Sequence, residues 1–109
     1  MIAGVPFEAA TLPIAHEPVP ADQVVAGAPT TGYVEFADTI GVWEMSPGAM
    51  SDTEIDEVFV VLAGSATVEF VDPALPSIEL AAGSVVRLAD GMQTVWTVRE
   101  TLRKVYIAG

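Results

Sequence analysis

The chain has 109 residues, of which 51% are hydrophobic and 17% charged, a balance that fits one folded domain and excludes disorder. Fifteen carboxylates against four cations give a formal net charge of -11, so the chain lacks the basic face that nucleic-acid binding requires. It has no cysteine and therefore no disulfide framework or thiolate nucleophile, and its longest apolar run is too short to span a membrane.

The first segment, residues 1–32, is interrupted by prolines too often to form a regular sheet ladder. Its apolar side chains indicate that it is not free in solvent. We therefore predict an N-terminal arm over 1–32 that packs on the rest of the domain or on a partner subunit, with a strand or helical turn near 21–25. No basic region precedes an apolar stretch here, so we predict no signal peptide and a cytoplasmic location.

Residues 33–109 show short runs rich in Val, Ile, Thr and aromatic residues, separated by Gly, Pro and Asp. This pattern is typical of an all-β sandwich or barrel. Ala63-Gly64-Ser65 suits a tight hairpin, because glycine accepts the positive φ that such a turn requires. We predict eight strands, at 33–37, 40–46, 56–62, 65–71, 77–80, 84–88, 93–98 and 102–107.

Several segments in this order resemble the small cupins, in particular the subfamily that groups ureidoglycine aminohydrolase cupins with the ethanolamine-utilisation cupin. The resemblance spans about 36–107 and rests on GVWE, PG, DEVFVVLAG, GSVV, WTV and LRKVY. It implies a cupin double-stranded β-helix, that is, a jelly-roll barrel, in a fold that often forms dimers. We accordingly predict a homodimer, in which the two-fold partner also covers a sheet edge.

Many cupins hold a transition metal with three histidines and a glutamate. By the resemblance, the glutamate is Glu57, whereas the paired histidines fall on Ser51 and Thr53 (or on Met50 and Asp52) and the last falls on Thr94. The only histidine, His16, lies in the arm, where we expect a surface or packing role. Because neutral imidazole is the usual ligand for such metals, we predict no metal and no cofactor.

The alternative to a transition metal is a hard cation, which prefers oxygen ligands. Four carboxylates lie within six residues here, those of Asp52, Glu54, Asp56 and Glu57. Alternation turns Asp56 and Glu57 to opposite faces of a strand, however. Asp52 and Glu54 are expected on the loop that enters this strand. We interpret the four as a solvated acidic loop.

Alternation also places Glu57 and Phe59 on one face, and Thr94 and Trp96 on another, and the resemblance turns both faces into the barrel. We predict a ligand site there, with Glu57 as a general acid or base and with Trp43, Phe59, Thr94 and Trp96 as its walls. Glu57 has the alternative of a structural pairing with a Trp N–H, a Thr hydroxyl or Arg87. The sequence leaves open whether the barrel only binds a small polar metabolite or is a metal-independent isomerase, lyase or hydrolase.

Overall fold

The computed structural model describes residues 1–109 and contains nine strands and no helix, so the all-β prediction is confirmed. The strands are β1 (Glu17–Pro18), β2 (Val24–Ala26), β3 (Thr30–Ala37), β4 (Ile40–Met45), β5 (Gly48–Thr53), β6 (Glu57–Asp72), β7 (Leu75–Leu80), β8 (Val85–Leu88) and β9 (Gln93–Ala108). No helix capable of crossing a membrane is present.

Two long strands, β6 and β9, form the centre of the sheet and pair antiparallel with each other over most of their length. The other edge of β9 pairs with β5 in its first half and with β4 in its second half. The other edge of β6 pairs with β8 and then with β7. The sheet curls on itself, and a single cluster of buried side chains, among them Met45, Phe59 and Trp96, fills its interior.

The predicted hairpin at Ala63-Gly64-Ser65 is wrong, because β6 runs through these residues without a turn. The predicted strands 56–62 and 65–71 are one bent strand, and so are 93–98 and 102–107. Gly64 does adopt a positive φ of 98°, but in an irregularity of the β6–β9 ladder. Glycine with a positive φ occurs in β-bulges as well as in hairpin turns, so the local sequence does not distinguish the two structures.

Gly64 also lies against β9 so closely that a Cβ atom built on it would be 2.2 Å from the backbone oxygen of Thr101. We expect Gly64→Ala to lower the free energy of unfolding by about 3 kcal/mol or more, through backbone strain and this clash together. Gly83→Ala is the matched control, because Gly83 has φ of 94° but open space around its Cβ position. Its cost should be about 1 kcal/mol in urea unfolding. Equal losses in the two variants would contradict the close approach at Gly64.

β5 was not predicted, since its sequence, GAMSDT, lacks the alternation of a half-buried strand. It pairs with β9 on one side and with β2 on the other. The expectation of a solvated loop is therefore corrected: Asp52 belongs to β5, and Glu54, one residue beyond its end, is only 6% exposed.

The N-terminal residues lie on the barrel and add two short strands to its sheet, β1 beside β3 and β2 beside β5. Phe7 stacks on Phe36 with ring centroids 4.3 Å apart, and the Arg103 guanidinium donates to the backbone oxygens of Ala9 and Leu12 at 3.0 and 2.8 Å. His16 packs between Thr30 Oγ1 and Glu44 Oε1, each 2.7 Å from a ring nitrogen. The division of the chain at residue 33 stays a prediction.

Candidate functional site

The interior of the barrel contains a lysine ammonium, that of Lys104. Lys104 lies on β9 opposite Trp43 on β4, and its side chain is 6% exposed. Its Nζ atom donates to Glu57 Oε2 at 3.0 Å, and the Glu57 side chain is 10% exposed. The same Nζ atom lies 4.4 Å from the ring centroid of Phe59 and 4.8 Å from those of Trp43 and Trp96. A carboxylate and three aromatic faces thus compensate the desolvation of this buried charge.

A second buried carboxylate, that of Glu54, has only neutral partners. Its Oε2 atom accepts from Thr94 Oγ1 at 2.6 Å and from Trp96 Nε1 at 2.9 Å. Backbone hydrogen bonds with Met92 and Gly91 hold Glu54 against the start of β9. The threonine hydroxyl and the tryptophan N–H that were considered as partners of Glu57 therefore belong to Glu54 instead.

The carboxylate of Asp52 belongs to the same region. It lies on β5 directly opposite Thr94, and its Oδ1 atom accepts from the Thr53 backbone N–H at 2.9 Å. Burial, followed by the negative charge of Glu54, raises the pKa of Asp52 to about 6. This side chain can therefore exchange a proton under ordinary conditions.

Lys104, Glu57, Glu54 and Asp52 border an open cavity of ≈ 290 Å³. Four aromatic side chains and four carboxylates contribute to its wall. Burial and the nearby Glu35 carboxylate raise the pKa of Tyr106 to about 12, so its hydroxyl keeps its proton. The lining residues are Tyr33, Glu35, Trp43, Asp52, Thr53, Glu54, Ile55, Glu57, Trp96, Lys104 and Tyr106.

Three of the five predicted site residues, Glu57, Trp43 and Trp96, border this cavity. The other two lie behind its wall: Phe59 is fully buried beside the Lys104 ammonium, and Thr94 is 1% exposed beside Glu54. The structure brings all five into one region, and their functional roles stay predictions.

The residues present do not fit a transition metal. Glu57, the one ligand type retained from the pattern seen in cupins, is occupied by the Lys104 ammonium. Thr94 and Trp96 are committed to Glu54, and no three His, Cys, Asp or Glu side chains are arranged to hold an ion. The donors offered here are carboxylate oxygens with a fixed cation among them, which is not the imidazole set that such metals prefer.

Lys104 and Tyr106 are not among the predicted site residues, although the sequence carries a signal for them. In the run LRKVY, alternation puts Leu102, Lys104 and Tyr106 on one face. Leu102 is fully buried, so Lys104 must also point inward. A lysine on the apolar face of a strand is unusual enough to mark a site. Asp52 and Glu54 stand out in the sequence only as members of an acidic cluster, and nothing there predicts that they are buried, because β5 lacks the pattern of a strand.

Residues 34–106 match the family model described as the EutQ-like cupin domain. The earlier resemblance to the ethanolamine-utilisation cupins is thereby confirmed. A comparison with curated proteins finds no match.

Solved structures similar to this chain include the EutQ protein of Clostridium difficile, at 15% identity and TM-score 0.63, covering 73% of this chain and 68% of that one. A DUF861-family protein of unknown function from Pseudomonas syringae pv. tomato has 19% identity and TM-score 0.72, covering 92% of this chain. This chain spans 46% of the length of that protein. A cupin-like protein of Thermotoga maritima has 14% identity and TM-score 0.60, covering 84% of this chain and 74% of that one. At these identities the likeness shows the fold alone, which is the cupin jelly-roll barrel.

Proposed function

The chain belongs to the EutQ-like cupin domain family, and we propose that its barrel binds a small polar metabolite without the help of a transition metal. One observation carries the proposal: the cavity of ≈ 290 Å³ combines aromatic walls with a few polar groups, among them the paired Lys104 and Glu57. Small-molecule sites have this composition, and the volume is near the lower end of their range.

The chain itself supplies a probe of binding, because its only two tryptophans, Trp43 and Trp96, both border the cavity. We expect a ligand to change the intrinsic fluorescence in a saturable manner and to raise the melting temperature by mass action. Trp43→Phe should remove part of the fluorescence response without removing the thermal shift. A metabolite library that leaves both readouts unchanged would count against the proposal.

Metal-independent acid–base catalysis is the second candidate, and the titration of Asp52 favours it. A group with a pKa of about 6 can both donate and accept a proton near neutrality, and the Lys104 ammonium can stabilise negative charge that develops in the cavity. Glu57 is the residue that the sequence predicts for this role, but protonation of Glu57 would weaken its ion pair with Lys104. Asp52→Asn should abolish any turnover of a substrate that still binds, whereas full turnover in this variant would exclude Asp52 as the acid or base.

We also propose that the chain forms a homodimer, since Val58, Val85 and Ile107 remain exposed on the neighbouring strands β6, β8 and β9. Such apolar surface is typical of a covered interface. Light scattering should give twice the chain mass of 11.4 kDa, and a value near the chain mass would contradict the dimer.

A further inference from the structure

The cavity has an imbalance of charge. Four of its lining side chains are carboxylates, those of Glu35, Asp52, Glu54 and Glu57, and Lys104 is the one basic side chain among them. The Lys104 ammonium is already paired with Glu57. The other three have no cationic partner: Glu54 and Asp52 accept only neutral N–H and O–H groups, and Glu35 accepts from the Tyr106 hydroxyl at 3.5 Å.

The electrostatics of the apo barrel reflect this imbalance. The charge of Glu54 is the second cause, after burial, of the raised pKa of Asp52; the Thr53 N–H and the Lys104 ammonium lower this pKa in part, and Glu57 raises it slightly again. A further negative charge in the cavity would meet the same repulsion, whereas a positive charge would relieve it. The formal net charge of -11 favours the approach of cations from solution in the same sense.

The aromatic wall suits the same class of ligand. The Lys104 ammonium lies 4.4–4.8 Å from three aromatic ring centroids, an arrangement in which ring faces attract an organic ammonium. Tyr33 and Tyr106 border the cavity as well and carry further ring faces. An inorganic cation gains little from such faces, because it loses water without regaining enough oxygen ligands.

We propose that the ligand of this cavity is a small organic cation, namely a protonated amine or alkylammonium ion, with its charge on the side of Asp52 and Glu35 and its apolar part against the aromatic wall. The inference rests on the proposed function, because it names the class of molecule that the cavity binds. Repulsion from Lys104 keeps the charge of the ligand away from the Glu57 end of the cavity.

Three probes of one shape and different charge test this inference: benzylammonium, benzyl alcohol and benzoate, titrated calorimetrically against the full chain. We expect benzylammonium to bind about tenfold more tightly than benzyl alcohol, and benzoate to bind more weakly still. Asp52→Asn should remove most of the preference for the cation. Glu69→Gln, which removes an exposed carboxylate outside the cavity, is the matched control and should leave the preference unchanged.

The outcomes separate this inference from the proposed function. If benzyl alcohol or benzoate binds as tightly as benzylammonium, the cavity binds small molecules but is not selective for cations, and the inference fails alone. If the preference falls equally in Asp52→Asn and Glu69→Gln, it arises from overall charge, and the inference fails. If neither these probes nor any metabolite binds, both proposals fail.

Discussion

In the Lys104→Met variant we expect the free energy of unfolding to fall by about 3–5 kcal/mol. The substitution keeps the length of the side chain but leaves the carboxylate of Glu57, whose side chain is 10% exposed, without its ion-pair partner. It also removes the ammonium from between the rings of Trp43, Phe59 and Trp96. Urea unfolding followed by circular dichroism measures the loss.

Two further variants identify the cause of that loss. Arg99→Met breaks the exposed ion pair between Arg99 and Glu79, whose side chains are 49% and 70% exposed respectively, and should cost far less stability than Lys104→Met. The double variant Glu57→Leu with Lys104→Met removes both buried charges and should regain most of the stability. If the double variant were as unstable as Lys104→Met alone, lost packing rather than an unpaired carboxylate would explain the effect.

At pH 8 we expect the Asp52→Asn variant to be more stable than the parent chain by about 1–2 kcal/mol, a value discounted for the partial exposure of Asp52. Burial and then Glu54 raise the pKa of Asp52 to about 6, from 3.8 as the ordinary value. The folded state therefore holds this proton more tightly than the unfolded state. Below its ordinary pKa, Asp52 does not lower the free energy of unfolding. The unfavourable contribution grows as the pH rises from there towards 6, and it is complete above pH 6.

The advantage of Asp52→Asn should accordingly vanish near pH 4, where the parent carboxyl is protonated in the folded chain. Glu44→Gln is a control of opposite sign: burial opposes ionisation there, but hydrogen bonds from Arg103 and His16 outweigh it and lower the pKa of Glu44. This variant should be less stable than the parent at pH 8, by a margin that narrows as the pH falls. Unfolding curves at pH 4, 6 and 8 test both expectations, and an advantage of Asp52→Asn that did not depend on pH would contradict the titration.

Ionised Asp52 lowers the free energy of unfolding of the free protein, and it is also the carboxylate that would bind the proposed ligand. A site that binds a cation must hold negative charge before the ligand arrives, and the free protein bears the cost of holding it. Asp52→Asn should therefore raise stability and lower affinity together. The paired measurements on this one variant connect the pH dependence of folding with the class of ligand.

Much of the fold could be predicted from short-range patterns. Strands β3, β4, β7 and β8 lie close to their predicted places, because alternation and turn residues are local signals. β5 was missed, since a strand with few β-branched residues owes its conformation to the neighbours β9 and β2 rather than to its own propensity. Gly64 was placed in a turn instead of a bulge, because only the partner strand distinguishes the two.

The amino-acid sequence is enough to predict the family and the all-β architecture. Alternation along a strand, which requires no knowledge of its neighbours, puts Glu57 with Phe59 and Thr94 with Trp96, and the resemblance to cupins implies that both faces point inward. The contacts among the buried polar groups depend instead on how the sheet folds. Trp96 and Thr94 donate to Glu54, and Lys104 donates to Glu57, because the curled sheet brings β5, β6 and β9 together in one register. That register joins residues about forty positions apart in the chain, and no local pattern specifies it.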